Sequence, residues 1–331
     1  MESVKQGQLY KYQILTKDNA PSRAQRVLHT DDILFQCVRP YQMNNYMVKE
    51  TMSDIQWVAS TGYAQIRTQT DYPAFLYYVL NTSKYNKAVM VRCTGSSYPA
   101  INSEDLSKIP FYKCGIAEQK KIADFLSLLD ERIATQNKII EDLKMLKSAI
   151  SKKLLCNDKW TTYKIQDIAE IGRGRVISSV EIDRQKHPLY PVYSSQTSND
   201  GIMGYLDEYM FDGEYITWTT DGANAGTVFY RKGMFNCTNV CGTLKILPKF
   251  DCYFVSLVLQ QATQKYVSSN LANPKLMNNT MASIKIRMPN IETQKQLSKV
   301  FQALDGCLSI HQRTCEMYLK EKQYLLRQMF I

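Results

Sequence analysis

Apolar residues recur at alternating intervals of three and four over two stretches of the chain, residues 116–155 and 291–331. This spacing is the heptad pattern of a coiled-coil seam, and it predicts one long helix in each stretch. At about 1.5 Å per residue, each helix would be roughly 55–60 Å long. The apolar positions that we expect to pair the two helices are Leu126, Leu129, Ile133, Ile140, Leu143, Phe301, Leu304, Leu308, Tyr318 and Leu325.

Two polar residues interrupt each seam at matching places. Gln136 and Lys147 interrupt the first seam, and His311 and Lys322 lie 175 residues further on in the second. A polar residue at a seam position often fixes the register of a coiled coil. The pattern also leaves open two amphipathic surface helices that each pack on their own domain.

The same offset of 175 residues relates the sequences at the start of the two stretches. Residues 116–120 read Ile-Ala-Glu-Gln-Lys, and residues 291–295 read Ile-Glu-Thr-Gln-Lys. A repeat of this period indicates a duplicated domain and not a solenoid. The four predicted segments are a first module (1–115), a first long helix (116–155), a second module (156–290) and a second long helix (291–331).

Both modules have the patterns of mixed, mostly β structure. In the first module, residues 32–38 and 63–67 have strand patterns, and residues 75–80 have helical spacing. Related runs occur in the second module at residues 211–216 and 238–246. The predicted fold class is α+β, with two mostly β domains that are each followed by a long helix.

The length and the net charge limit the possible classes of function but do not identify one. The chain has 331 residues and a formal net charge of +10. This charge suits a polyanionic partner, although a soluble basic protein without such a partner would have the same balance. The 22 tyrosines favour a nucleic-acid or protein interface, because tyrosine both stacks and donates hydrogen bonds.

The sequence predicts a cytoplasmic protein without a membrane span or a bound metal. No apolar run approaches the roughly 20 residues that a bilayer requires, and no charged-then-apolar leader opens the chain. The nine cysteines are irregularly spaced and the histidines number only three, which argues against a structural zinc site. Free thiols are typical of a reducing cytoplasm.

Motifs of known enzymes are weak in this sequence. Residues 222–226 have the glycines of a phosphate loop but no lysine. Residues 273–276 begin like a methyltransferase target-base motif, but they lack its aromatic residue, and no cofactor loop precedes them. His29 and His187 lie in predicted loops, and His311 lies on the seam. We predict a non-catalytic chain, and an unrecognised active site on nucleic acid stays open as an alternative.

Basic and polar loops are the better candidates for a functional site. Arginine and lysine read guanine edges, asparagine and glutamine read adenine edges, and serine and threonine position phosphates. Arg173 and Arg175 flank a glycine, which allows the backbone to approach a partner closely. The candidate DNA-binding residues are Arg23, Arg26, Arg39, Gln42, Asn44, Asn45, Arg173, Arg175, Gln196, Ser198, Asn199, Thr220, Asn224 and Lys275.

The order of these features resembles the DNA-specificity subunit of type I restriction–modification systems. The resemblance rests on the duplicated Ile-x-x-Gln-Lys sequence, on the heptad helix after each module, and on short phrases near Pro21, Asp32, Arg39 and Trp160. It covers essentially the whole chain. No single phrase is diagnostic, but their order, present twice, is specific.

The resemblance implies that each module is a target-recognition domain for one half of a split site in double-stranded DNA. The two long helices would pair antiparallel and act as the spacer between the half-sites. Two methyltransferase subunits would bind these helices and modify an adenine in each half-site, and motor–nuclease subunits would add restriction. S-adenosylmethionine, ATP and magnesium would belong to those partners, so we expect no cofactor in this chain.

Two further expectations concern the first module and the class of function. In the second module, 54 residues counted from Trp160 precede Glu214 (214 − 160 = 54), whereas only 31 residues precede the corresponding Asp32. We therefore expect a first recognition domain that is shortened at its N-terminal side. The alternative function, from another class, is a coiled-coil scaffold whose two modules bind proteins.

Overall fold

The computed structural model of the chain describes residues 3–5, 7–10, 12–49, 55–155, 157–268 and 273–330. Their tertiary contacts form two compact units. Unit 1 consists of residues 1–139 and 311–331, and unit 2 consists of residues 140–310. Each unit therefore contains one module together with a part of each long helix.

Unit 1 combines short strands with three helices of its module. Its strands are β1 (Val4–Lys5), β2 (Gln8–Leu9), β3 (Ala24–Val27), β4 (Ile33–Gln36), β5 (Tyr46–Met47), β6 (Val58–Ser60) and β7 (Tyr63–Ile66). Its helices are α1 (Pro73–Leu80), α2 (Ser83–Arg92), α3 (Ser103–Ser107) and the first part of the long helix α4 (Ile116–Leu154). Helix α4 lies where a long helix was predicted over residues 116–155, and it ends at Leu154.

The core of unit 1 forms between its sheet and its helices. Strand β4 lies between β5 and β7, antiparallel to both. Its four residues are all buried, and the first three, Ile33, Leu34 and Phe35, are apolar without the alternation of a half-exposed strand. Ile33 and Phe35 pack with Leu80 of α1, Val89 of α2 and Leu126 of α4 in one cluster. The start of the long helix is thus part of the core of this module.

Unit 2 contains a larger sheet. Its strands are β8 (Thr161–Lys164), β9 (Ala169–Arg173), β10 (Tyr190–Tyr193), β11 (Ile202–Leu206), β12 (Glu214–Thr219), β13 (Val228–Lys232), β14 (Asn236–Cys237), β15 (Cys241–Ile246) and β16 (Lys285–Met288). Its helices are α5 (Ser179–Asp183), α6 (Cys252–Ala262), α7 (Asn278–Ser283) and the first part of the long helix α8 (Ile291–Met329).

The main sheet of unit 2 has the antiparallel order β13-β12-β15-β9. Trp218 of β12, Phe254 of α6 and Phe301 of α8 are fully buried in its core. The indole of Trp218 lies against Gly242 of β15, where an added Cβ would lie 2.2 Å from the ring. Only glycine therefore fits at this position.

A buried glutamine ties each long helix to its module. Gln119 and Gln294 are the repeated glutamines of the two Ile-x-x-Gln-Lys sequences, and both are almost fully buried. Gln119 Oε1 accepts the Tyr72 N–H at 2.9 Å, and Gln294 Oε1 accepts the Asp251 N–H at 3.0 Å. Tyr72 and Asp251 are the N-caps of α1 and α6. The repeated motif is explained by this connection, which satisfies otherwise unpaired backbone groups.

A lysine of one long helix contacts an aspartate of the other in both units. In unit 1, the Lys322 ammonium of α8 contacts the Asp130 carboxylate of α4. In unit 2, the Lys147 ammonium of α4 contacts the Asp305 carboxylate of α8. These lysines are the polar seam residues that correspond across the repeat, and their aspartates correspond as well.

A tyrosine from each module completes these ion pairs. Tyr78 Oη donates to Asp130 Oδ2 at 2.8 Å, and Tyr253 Oη donates to Asp305 Oδ2 at 2.5 Å. Burial, together with the neighbouring aspartate, raises the pKa of both tyrosine hydroxyls. Both hydroxyls therefore stay protonated and act as donors at neutral pH.

The second pair of polar seam residues meets within unit 1. His311 Nδ1 lies 2.7 Å from Gln136 Oε1. One turn away, Cys315 Sγ lies 3.4 Å from Asn137 Oδ1. The two residues that correspond in the repeat are therefore in direct contact with each other.

Gly306 in α8 offers a test of helix stability. An added Cβ at this position would meet no atom within 4 Å. Gly306→Ala is expected to raise the free energy of unfolding by about 0.5–1 kcal/mol, because glycine is the weaker helix former. Urea denaturation would measure the change. Gly242→Ala in the same unit is the matched control and should destabilise, since its Cβ collides with Trp218. A loss of stability in Gly306→Ala would contradict the described environment.

Candidate nucleic-acid interface

The strongest cluster of predicted residues lies at one end of the main sheet of unit 2. Arg173 ends β9, Asp221 follows β12, and Lys275 precedes α7. Arg173 Nη2 lies 3.6 Å from Asp221 Oδ2, and Lys275 Nζ lies 3.5 Å from Asp221 Oδ1. The carboxylate of Asp221 thus brings together two cations that are about a hundred residues apart in sequence. Asp221 is not among the residues predicted from sequence, although it lies between two of them, Thr220 and Asn224.

Thr220 supports this cluster from below the surface. Its hydroxyl accepts from Arg173 Nη2 at 3.0 Å and donates to Asp221 Oδ2 at 2.8 Å. The residue is fully buried, so the expectation that Thr220 is exposed and touches DNA directly is wrong. The side chain of Arg173 remains 35% exposed. Arg173 is therefore oriented by Thr220 and Asp221 while its guanidinium can still reach a partner.

Arg175 lies in a turn whose backbone passes very close to a neighbouring segment. An added Cβ at Gly174 would lie 2.1 Å from the carbonyl oxygen of Cys237. Gly174 N–H donates to Cys241 O at 3.1 Å, and Arg175 N–H donates to Cys237 O at 3.2 Å. These contacts explain the glycine between the two arginines.

The side chain of Arg175 is exposed but already has a partner. Its guanidinium forms a two-pronged pair with the carboxylate of Glu181 in α5. This hydrogen bonding lowers the pKa of Glu181 and raises the pKa of Arg175. A DNA phosphate at Arg175 would have to compete with Glu181, whereas one at Arg173 would approach a cluster of two cations and one carboxylate.

The remaining predicted residues of unit 2 lie in two loops. Ser198 and Asn199 are exposed in the loop between β10 and β11. Gln196 is half-buried, and its amide donates to the backbone oxygen of Ile202, so it holds the loop together. Asn224 is exposed in the turn between β12 and β13. Three of these four side chains are therefore open to a partner.

The predicted arginines of unit 1 differ in how firmly they are held. Arg23 is exposed in the turn before β3. Arg26 donates from Nη1 to the carbonyl oxygen of Tyr63. Arg39 has a left-handed backbone with φ of 56°, and its guanidinium lies 4.5 Å from the ring centre of Tyr98. Arg39 is thus stacked on one face, a geometry in which its hydrogen-bonding edge stays free.

A buried glutamine organises the polar loop after β4. Gln36 Nε2 donates to Gln42 Oε1 at 2.9 Å, and Gln36 Oε1 accepts the Asn44 N–H at 3.0 Å. Asn45 accepts the Gln36 N–H at 2.8 Å and donates to Asn81 Oδ1 at 3.1 Å. Asn45 is 1% exposed, so the expectation that it reads DNA from the surface is wrong. Its amide instead satisfies buried polar groups.

A buried carboxylate, Asp32, lies at the other end of β4, directly before the strand begins. Asp32 accepts from Arg67 at 2.7 and 2.8 Å, from the His29 N–H at 2.8 Å, and from Gln65 at 2.7 Å. Burial opposes ionisation of Asp32, but these hydrogen bonds outweigh it and hold its pKa below the usual range. Asp32 is therefore ionised at neutral pH and serves the fold.

Two observations concern metal binding and membrane insertion. Among the described residues, no group of three or more histidine, cysteine, aspartate or glutamate side chains is placed to hold a metal ion. No helix in the described part of the chain has both the length and the apolar character to cross a bilayer.

The sequence matches one protein family twice. The model of the family described as "Type I restriction modification DNA specificity domain" matches residues 3–145 and 157–316. The two matches cover both predicted modules and most of both long helices. They agree with the internal repeat, which was found from the chain alone.

Relatives and solved structures agree with this match. S.MpnORF201P of Mycoplasma pneumoniae, which its name assigns provisionally to the type I specificity subunits, is 35% identical over 231 residues, 68% of this chain and 96% of its own. The type I restriction enzyme MpnII specificity subunit of the same organism is 38% identical over 178 residues, 53% of each chain. The S subunit of a type I restriction–modification system from M. genitalium has a similar fold, with a TM-score of 0.71 at 17% identity over 91% of this chain and 83% of that one.

Proposed function

The chain belongs to the type I restriction–modification DNA specificity family, and on that premise we propose that its two modules read the two halves of a split DNA site. The observation that carries the proposal is the double match to the specificity domain, at residues 3–145 and 157–316. A specificity subunit recognises DNA and leaves catalysis to other chains. The earlier alternatives, a protein-binding scaffold and an enzyme, are therefore set aside.

The proposed division of the chain follows the sequence repeat. Residues 1–115 and 156–290 would be the recognition domains, and residues 116–155 and 291–331 would be spacer helices that pair as an antiparallel coiled coil. Contacts within each unit support this arrangement. The early part of α4 contacts the late part of α8 in unit 1, and the late part of α4 contacts the early part of α8 in unit 2.

DNA would meet unit 2 at the cluster around Asp221. Arg173 and Lys275 are exposed enough to reach phosphates or base edges, and Ser198 and Asn199 lie in an open loop. In unit 1, Arg23, Arg39 and Gln42 are the corresponding candidates. The net charge of +10 favours approach to a polyanion, and this electrostatic contribution would weaken as salt increases.

The names of similar proteins support partners from a type I restriction–modification system. Several of these proteins are named as type I specificity subunits, and a structure with a TM-score of 0.56 and 16% identity is described by complex assembly in a type I system. We propose that two methyltransferase subunits bind the paired helices and that motor–nuclease subunits join them. S-adenosylmethionine, ATP and magnesium would be bound by these partners.

Arg173→Ala tests the interface directly. We expect binding to weaken by about 1–3 kcal/mol, and only on DNA with an intact second half-site, because one base contact is removed. Fluorescence anisotropy at one fixed salt concentration would measure affinity for duplexes with either half-site scrambled. The control is Arg287→Ala, which removes an exposed arginine paired with Asp158 in the same unit. A uniform loss on all duplexes would assign Arg173 to a phosphate, and unchanged affinity would exclude it from the interface.

A further inference from the structure

Arg231 of β13 is a buried cation with an unusually complete set of partners. It is 4% exposed. Its Nη1 donates to Asp200 Oδ2 at 2.6 Å, its Nη2 donates to the Asp200 carbonyl oxygen at 2.8 Å, and its Nε lies 3.3 Å from Thr217 Oγ1. The guanidinium lies 3.6 Å from the ring centre of Tyr193 and 4.4 Å from that of Phe229. The guanidinium therefore donates hydrogen bonds from its nitrogen atoms, and two aromatic rings lie against it.

The segment that Arg231 holds is the loop between β10 and β11, residues 194–201, here called the 194–201 loop. Asn199, Asp200 and Gly201 have left-handed φ values of 50°, 53° and 80°. Residues with a Cβ rarely adopt this conformation, and they keep it only where surrounding contacts hold the backbone in place. The Ser194 N–H donates to Gly201 O at 3.0 Å and closes the loop.

Arg231 is buried, but its partner Asp200 lies at the protein surface. The Asp200 side chain is 67% exposed, whereas the side chain of Arg231 is 3% exposed. Arg231 therefore cannot touch DNA in this arrangement, but it fixes both the carboxylate and the carbonyl of a residue in the exposed loop. Ser198 and Asn199, two predicted DNA-reading residues, directly precede Asp200.

We propose that Arg231 is a positioning residue for DNA specificity, which holds the 194–201 loop in its reading conformation through Asp200. The inference rests on the proposed function, because it assumes that the loop faces the second half-site. Lysine would not replace Arg231 fully, since a single ammonium cannot bond in parallel to the carboxylate and the carbonyl while stacking between two rings.

The experiment uses the full chain, co-expressed with its methyltransferase partner in a host without other adenine methylation. The wild-type motif is determined first by single-molecule sequencing, and the absence of a split motif would refute the proposed function before any variant is scored. Asp200→Asn and Arg231→Lys are then compared with wild type on sites with single-base changes in either half.

Both variants are expected to lose about tenfold to a hundredfold discrimination at bases of the second half-site, the amount that one good base contact carries. Discrimination in the first half-site should not change. Asp200→Asn keeps the carbonyl bond and the stacking of Arg231, so it should fold even if Arg231→Lys does not. Arg287→Lys is the control, since it alters an exposed ion pair of the same unit.

Two outcomes would overturn the proposal. If Asp200→Asn discriminates between bases of the second half-site as the wild type does, the pair of Asp200 and Arg231 does not hold the 194–201 loop in a conformation that DNA recognition needs. Equal loss in both halves of the site would indicate general destabilisation and not the positioning of one loop. Thermal unfolding of each variant complex provides the independent measure of stability.

Discussion

Deleting residues 133–139 together with residues 308–314 is expected to shorten the unread gap between the half-sites by about three base pairs. One heptad at about 1.5 Å per residue is about 10 Å, and one base pair occupies about 3.4 Å of the DNA axis. The deletion removes Gln136 and His311 but keeps the heptad phase of both seams. It also keeps the Lys322–Asp130 and Lys147–Asp305 contacts mutually compatible, because both helices shorten by the same amount.

The control for this prediction is the deletion of residues 133–139 alone. In that variant, α4 is one heptad shorter than α8, so an antiparallel pair can keep only one of the two ion pairs in register. We expect a less stable chain and weaker methylation. Sequencing of methylated adenines would measure the gap in each case. An unchanged gap in the double deletion would contradict the proposal that the helices are the spacer.

Gly174→Ala is expected to abolish recognition of the second half-site. The new Cβ would lie 2.1 Å from Cys237 O and 2.4 Å from Thr238 O, and backbone atoms cannot move aside as a flexible side chain would. The turn must shift, and it carries Arg173 and Arg175. Loss of the base contact proposed for Arg173 corresponds to about 1–3 kcal/mol of binding free energy. Overpacking should also lower the stability of unit 2 by about 1–3 kcal/mol.

The control is Gly306→Ala, which adds the same methyl group where no atom lies within 4 Å. Anisotropy titrations would use duplexes in which only one half-site is intact, at one salt concentration. Gly174→Ala should bind the first half-site as the wild type does and should lose its preference for the second. Wild-type preference for the second half-site would contradict the placement of the reading surface at this turn.

The long helices could be predicted from sequence because their signal is periodic and duplicated. The seam predicted α4 and α8 to within two residues at each end, and every predicted pairing position is buried or half-buried. The repeated Gln119 and Gln294 each connect a long helix to its module, although the sequence alone did not show what they contact. Their partners Tyr72 and Asp251 are too far away in sequence for any local pattern to reveal them.

The candidate site was only partly predictable, because residue type does not report burial. Asn45 and Thr220 have the side chains of a DNA interface, but both are buried and serve neighbouring polar groups. Asp221 and Arg231 had no signal of their own. Each acts through long-range pairing, Asp221 with Lys275 and Arg231 with Asp200, and such pairs appear only once the strands are in register.

The most direct test of split-site recognition by the two modules is co-purification of the chain with its methyltransferase partner, followed by single-molecule sequencing of methylated adenine in the DNA of the host. We expect a split motif of two defined half-sites with a fixed gap, and a motif whose second half changes when residues 156–290 are exchanged for another recognition module. A continuous motif, or an exchange that alters both halves, would contradict the proposed function.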